Sequence, residues 1–160
     1  MSQSEFPYDF ADRSVRDALK QESNLREFLL DAIPDIAKDL DFSRVEQVER
    51  EFLTEDWRGR ESDLLFRIPW NDGRQETPLL ICVLIEHQSR PDPRMSFRTL
   101  LYAVLYWDRE WKVWEELPAP RPEFRLTPII PIVFHTGAQP WTTMRTVGEL
   151  FAGPELFRAF

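Results

Sequence analysis

The chain has 160 residues, with 28 Asp and Glu against 20 Lys and Arg for a formal charge of −8, and a pI near 4.9. That balance argues against a general polyanion-binding surface, because nonspecific nucleic-acid affinity comes from Lys and Arg neutralising phosphates; a local basic patch or a metal-bridged phosphate contact stays open. At 42% hydrophobic and 13% aromatic residues the chain is too apolar for disorder and long enough for one domain with a real core.

In chain order, Asp12 or Ser14 is a candidate cap for a helix through VRDALKQ, and Ser23 for its restart. The second stretch, NLREFLLDAI, sets Leu25, Phe28, Leu29 and Ile33 at helical spacing. Pro34 fits the first turn of a third piece. RVEQVEREFL is assigned to a strand, and TEDWRGRES to a loop around Gly59. SDLLFRIPW reads as a strand ending at Pro69, Asp72-Gly73 as a turn, and Leu79 to about Gln88 as the returning strand of a hairpin. Asp92-Pro93 is a good cap and first residue for a helix to about Glu116. Apolar almost all round from Leu100 to Trp107, that helix should be central and buried. Pro118, Pro120 and Pro122 predict an extended linker, LTPIIPIVFHTG a strand, and TVGELFAG a helix. Helices, strand, hairpin, long helix, strand and helix make an α/β chain around a mixed sheet. Residues 1–42 are expected to be a helical segment of the same domain as a core over 43–160. That core is expected to be cut short at its C-terminal end, because ELFAGPELFRAF has no polar tail.

MSQSEFPYDF lacks the basic-then-apolar pattern of a signal peptide, and no apolar run approaches membrane-span length. A soluble, cytoplasmic protein is expected. The lone Cys82 excludes an internal disulfide and a Cys-rich zinc site; it reads as a small buried hydrophobe.

The most informative stretch is LLICVLIEHQS. Seven apolar residues, Leu79 to Ile85, run straight into Glu86, His87 and Gln88. The run predicts a strand buried on both faces, yet a charge out of water is costly unless paired or metal-bound. Glu86 and Gln88 fall on one strand face and His87 on the other. A hairpin turning at 71–77 brings Asp63, at the start of the first strand, to the same open end as Glu86. Two carboxylates close together repel, and a divalent cation relieves that. Such a set suits Mg²⁺ or Mn²⁺.

ESDLLFRI, VLIEHQSRPDPRMSFRTLLYAVLYW and PIVFHTGAQPW together resemble the Rpn family of recombination-promoting, transposase-like nucleases. The likeness runs from Tyr8 over nearly the whole chain, and Ile85 to Tyr102 is its most specific block. The resemblance implies the core of the PD-(D/E)xK nuclease superfamily, a mixed β-sheet flanked by helices. It implies a DNA endonuclease of bacterial recombination or transposition, with DNA as partner and Mg²⁺, Mn²⁺ or Ca²⁺ as cofactor. It makes Asp63 and Glu86 the acidic metal ligands and the His87 backbone carbonyl the third. Gln88 stands where many superfamily members carry Lys; it can orient water by hydrogen bonding but brings no charge.

The chain departs from the family at Ala11-Asp12 with Val15, where members commonly open with His-Asp and an aromatic. Arg94 and Arg98, one turn apart, are either a DNA phosphate clamp or ion-pair partners of Asp92, Asp63 or Glu86. His135 matches a family motif and is either a strand-end hydrogen bonder or catalytic. Tyr102, Tyr106, Trp107, Trp111 and Trp114 fall at helical spacing and are core rather than base-stacking residues. The alternatives to a nuclease are a folded remnant or binding module that does not cut, and a dimerisation domain on the Trp-rich helix; a homodimer also suits a nuclease that cuts both strands.

Overall fold

The computed structural model describes residues 8–49, 64–71, 73–74, 76–86, 92–135, 139–143 and 145–151. Three helices come first: α1 (Tyr8–Leu19), α2 (Glu22–Ala32) and the short α3 (Pro34–Ala37), with Pro34 in the first turn as expected. α1 starts earlier than either proposed cap, and α2 starts one residue before Ser23, after Gln21 with no side-chain cap. A 3₁₀ turn (Phe42–Arg44) leads into β1, only Glu46–Gln47. Then come β2 (Leu64–Asn71), β3 (Glu76–Glu86), α4 (Met95–Glu115) and β4 (Ile129–His135). The helix expected after Thr146 is a 3₁₀ turn, Val147–Leu150, as far as it is described.

The sheet order is β1-β2-β3-β4. β1 and β2 pair antiparallel, β2 and β3 form the expected antiparallel hairpin, and β3 and β4 run parallel. Parallel neighbours need a long crossover, which α4 and the following segment provide. The architecture is thus α/β, a mixed four-stranded sheet flanked by helices, as expected of a PD-(D/E)xK-like core. Among the described residues no helix is long and apolar enough to cross a membrane.

β3 explains its own sequence. Leu79, Ile81 and Val83 join Leu64, Phe66 and Ile68 of β2 in a core with Leu25 and Leu29 of α2. Leu80 and Cys82 face the other way, into a second core with Leu65 and with Met95, Tyr102 and Tyr106 of α4. A strand covered on both faces has no polar face to present, hence the unbroken apolar run. Each such side chain contributes about 1.5–3 kcal/mol on burial, so the two cores hold helices to both sides of the sheet.

Two expectations fail for identifiable reasons. β2 does not stop at Pro69, and β3 begins before Leu79 and passes through Pro78. Pro69 and Pro78 are opposite one another. The Pro69 carbonyl instead accepts from Asp41 N–H at 2.8 Å, and Asn71 N–H donates to the Asp39 carbonyl at 2.9 Å. The backbone groups at Pro69 therefore point away from β3, and its missing N–H breaks no bond of the hairpin. The second failure is α4, which is buried on one side only: Leu100 is 39% and Val104 48% exposed. Gly73 takes φ +83° in the hairpin turn, where Asn71 Oδ1 accepts its N–H at 2.8 Å; a positive φ is cheap for Gly.

Arg44 ties the 3₁₀ turn to the hairpin. Its Nε donates to Asp41 Oδ2 at 2.6 Å, and its other nitrogens grip Glu76 at 3.1 and 2.6 Å. Hydrogen bonds from Ser43 and Arg44 hold the Asp41 carboxyl below its ordinary value, and the Arg44 hydrogen bonds do the same for Glu76. Groups depressed on folding stabilise above their unfolded pKa, and that contribution is lost as pH falls through the folded value. Arg44→Ala is therefore expected to lower the melting temperature at pH 7. Melts repeated below the ordinary carboxylate values of 3.8 and 4.5 should show the difference shrinking; a constant gap down to pH 2 would refute the linkage.

Candidate active site at the ends of the parallel strands

In open α/β sheets, ligands sit beyond the carboxyl ends of parallel strands. β3 and β4 end side by side here, with Glu86 and His135 as register partners. The helix that follows β3, α4, covers this end through Met95, Ser96 and Arg98, all buried. Beside it opens a cavity of about 330 Å³ lined by Ser96, Thr99, Val133, His135, Trp141 and Arg145.

The expected site residues fall as follows. Asp63, His87 and Gln88 lie outside the described residues. Glu86 is the last residue of β3. Leu64, which directly follows Asp63, is opposite Val83, three residues short of Glu86. Among the described residues no group of three or more His, Cys, Asp or Glu gathers as for a metal.

Arg94 stands at the N-cap of α4, its side chain 67% exposed beside a nearly buried Asp92. Asp92 Oδ1 accepts from Arg94 N–H at 2.9 Å and from its Nε at 3.2 Å. The helix starts later than the Asp92–Pro93 reading expected, at Met95 with Arg94 at the N-cap and no side-chain cap; Asp92 instead braces the turn that leads into it. Arg98 is 1% exposed, with Nη1 3.6 Å from Met95 Sδ. That depth favours the second role weighed for Arg98, an internal hold on the site, over contact with a DNA backbone.

His135 Nε2 faces the Gln139 carbonyl at 2.8 Å, and Trp141 packs edge-on to its ring at 5.4 Å. With Nε2–H donating to that carbonyl, a neutral ring would present Nδ1 as an acceptor; among the described residues Nδ1 is buried without a hydrogen-bond partner. The strand-end hydrogen bond expected of His135 is therefore present, and a second nitrogen remains for chemistry.

The aromatic side chains divide. Tyr102 and Tyr106 are core, and Tyr106 Oη is bonded by Arg67 at 2.8 Å. Trp107 is partly buried, its Nε1–H donating to the Thr127 carbonyl at 2.8 Å. Trp111 is 43% exposed, in a cluster with Trp114 and Phe124, so core packing is the wrong reading there. Trp114 and Phe124, but not Trp111, border a second cavity of about 490 Å³ next to Arg67. Cys82 is buried, as expected.

Sequence reasoning missed Ser96, Thr99 and Arg145. Ser96 and Thr99 sit in the specific block RMSFRT, and the rule that loops after parallel strands line sites points to the segment that carries Arg145.

Residues 10–160 match the family described as "Putative transposase, YhgA-like". The chain is 27% identical over 149 residues to the recombination-promoting nuclease RpnC of Escherichia coli K12, covering 92% of this chain and 46% of the relative. It is 32% identical over 107 residues to the recombination-promoting nuclease RpnD of Escherichia coli O157:H7, covering 65% of this chain and 36% of that relative. The chain thus spans less than half the length of these relatives. No solved structure matches significantly. A match over nearly its full length makes this chain a member of the Rpn, or YhgA-like transposase, family.

Proposed function

We propose that the chain is the nuclease core of a metal-dependent DNA endonuclease acting in recombination or transposition. The carrying observation is the register at the open end of the hairpin. Alternate strand positions belong to alternate faces. Leu80 and Cys82 of β3 lie on the α4 face, and position 86 has their parity. On β2, Leu65 lies on that face, as does Arg67, bonded to Tyr106. Glu86 ends β3 opposite His135 of β4, and Asp63, outside the described residues, joins it in this reading as the sequence resemblance implies. The names of RpnC and RpnD support the same chemistry.

Two carboxylates and a backbone carbonyl would make a hard-oxygen donor set of the kind that suits Mg²⁺ or Mn²⁺, with Ca²⁺ also accommodated. Such a cation would ease deprotonation of the attacking water and neutralise phosphate charge. Asp63, Glu86 and the His87 carbonyl would hold it, and Gln88 would orient the water by a hydrogen bond without adding charge. Arg94, at the exposed entry of α4, is assigned to the DNA backbone, and Arg98 to bracing the site from within. DNA is the partner, and a homodimer would present two such centres to the two strands.

The test is supercoiled-plasmid cleavage with Mg²⁺, Mn²⁺, Ca²⁺ or EDTA, on this chain and on Asp63→Ala. Nicking or linearisation with Mg²⁺ or Mn²⁺, absent in EDTA and in the variant, is the expected result. A folded chain that leaves plasmid intact with every metal refutes the reading and returns the non-cutting binding module, to which the absent first-helix His would then belong.

A further inference from the structure

We infer that the cavity beside His135 holds one nucleotide of the substrate, its phosphate on Ser96 and Arg145 and its planar ring against Trp141. The inference rests on the nuclease reading for its biological setting, while the ligand chemistry comes from the cavity itself.

Its polar groups lack the partners that buried groups normally have. Ser96 is only 5% exposed, and among the described residues its Oγ has no hydrogen-bond partner. The nearby Thr99 hydroxyl is already committed, donating to the Ser96 carbonyl at 2.7 Å. Arg145 lines the cavity, and no ion pair engages its guanidinium among the described residues. Its backbone is nevertheless fixed, with N–H donating to Glu149 Oε2 at 3.1 Å. Glu149 is in turn bonded to the Thr146 hydroxyl at 3.2 Å, so the 3₁₀ turn anchors Arg145 at the cavity rim.

These groups select among ligands. Ser96 O–H and Arg145 N–H are donors and call for anionic oxygens. In the neutral ring His135 Nδ1 is an acceptor and calls for an O–H or N–H. Met95, Val133 and Trp141 give apolar walls. Free phosphate leaves the apolar walls unmet, and a nucleoside lacks the anionic oxygens. A nucleotide offers all three, in a volume at the small end of ligand pockets, about 300 Å³ and upward. Because His135 is the register partner of Glu86, a nucleotide held here sits one strand away from the proposed metal ligand. That makes the cavity a grip on the nucleotide flanking the cleaved bond.

The experiment is calorimetric titration of the metal-free chain, in EDTA, with thymidine 5′-monophosphate, inorganic phosphate and thymidine. The monophosphate should bind at least about tenfold more tightly than either fragment, and Arg145→Gln should weaken it about tenfold, the scale of one charge-assisted contact. Ser96→Ala should weaken it as well. Arg145 lies outside the two cores, so its variant keeps the test informative even if Ser96→Ala does not fold. Equal affinity for monophosphate and phosphate, or undiminished binding in Arg145→Gln, overturns the inference. The nuclease reading fails separately: a chain that binds the monophosphate but never cuts plasmid keeps the pocket and loses the nuclease, and a chain that cuts without binding it does the reverse.

Discussion

Glu86→Ala is expected to reduce Mg²⁺- or Mn²⁺-dependent plasmid cleavage by roughly a thousandfold or more, with the fold retained. The magnitude follows from what is lost. One of two anionic ligands disappears, and with it the charge that holds the cation and positions it against the phosphate. Loss of a single preorganised electrostatic contact costs about 10²–10³ in rate, and a metal ligand contributes to both cation affinity and geometry. The fold should survive because Glu86 ends β3, where the strand is held by backbone pairing with β4. The same variant has a second readout that needs no catalysis. A cation that binds only the folded chain stabilises it by about 2.7 kcal/mol at a hundred times its Kd, so millimolar Mn²⁺ should raise the melting temperature of the natural sequence. Glu86→Ala should lose that rise. Unchanged cleavage in a purified variant would remove Glu86 from the site, and an unchanged Mn²⁺ shift would put the cation elsewhere.

The parts of this fold that could be seen in the sequence are those where one local force acts alone. The run is apolar from Leu79 to Val83 because cores cover both faces of β3. Gly73 marks the hairpin because a positive φ demands it. Asp92 marks the turn that leads into α4 because its carboxylate takes the Arg94 N–H. Reading failed where tertiary context reversed a local rule. Proline stops a strand only when its missing N–H belonged to the ladder, and at Pro69 the outward carbonyl is served by Asp41 N–H. The apolar girth of α4 predicted burial all round, yet Leu100 and Val104 face outward; hydrophobicity alone does not say how many layers a protein has. For the candidate site the sequence singles out Glu86, because a carboxylate at the tip of a buried strand needs a reason, and Glu86 is where β3 ends. Ser96 and Arg145 carry no such signal, since a serine in a helix and an arginine in a loop are ordinary until the chain brings them to one cavity.

Arg98 is the residue for which sequence left two roles, and its burial turns them into opposite measurements. At 1% exposure its guanidinium is out of water, at a cost of several kcal/mol unless partners compensate. Met95 Sδ at 3.6 Å is a weak acceptor and does not compensate it alone, so the rest of the surroundings must. Removing one member of such a buried arrangement costs about 3–5 kcal/mol, and for a chain of this size each kcal/mol lowers the melting temperature by roughly 2–4 °C. Arg98→Ala should therefore melt on the order of 10 °C lower. Arg98→Lys should recover little of it, because a point charge does not reproduce the planar five-donor fork. Arg94→Ala should do the reverse: a melting temperature close to the original, with the slope of log affinity for duplex DNA against log salt reduced by about one phosphate contact. If instead Arg98→Ala melts normally and flattens the salt dependence, the first turn of α4 must open on DNA, and Arg98 belongs to the interface rather than to the frame behind the site.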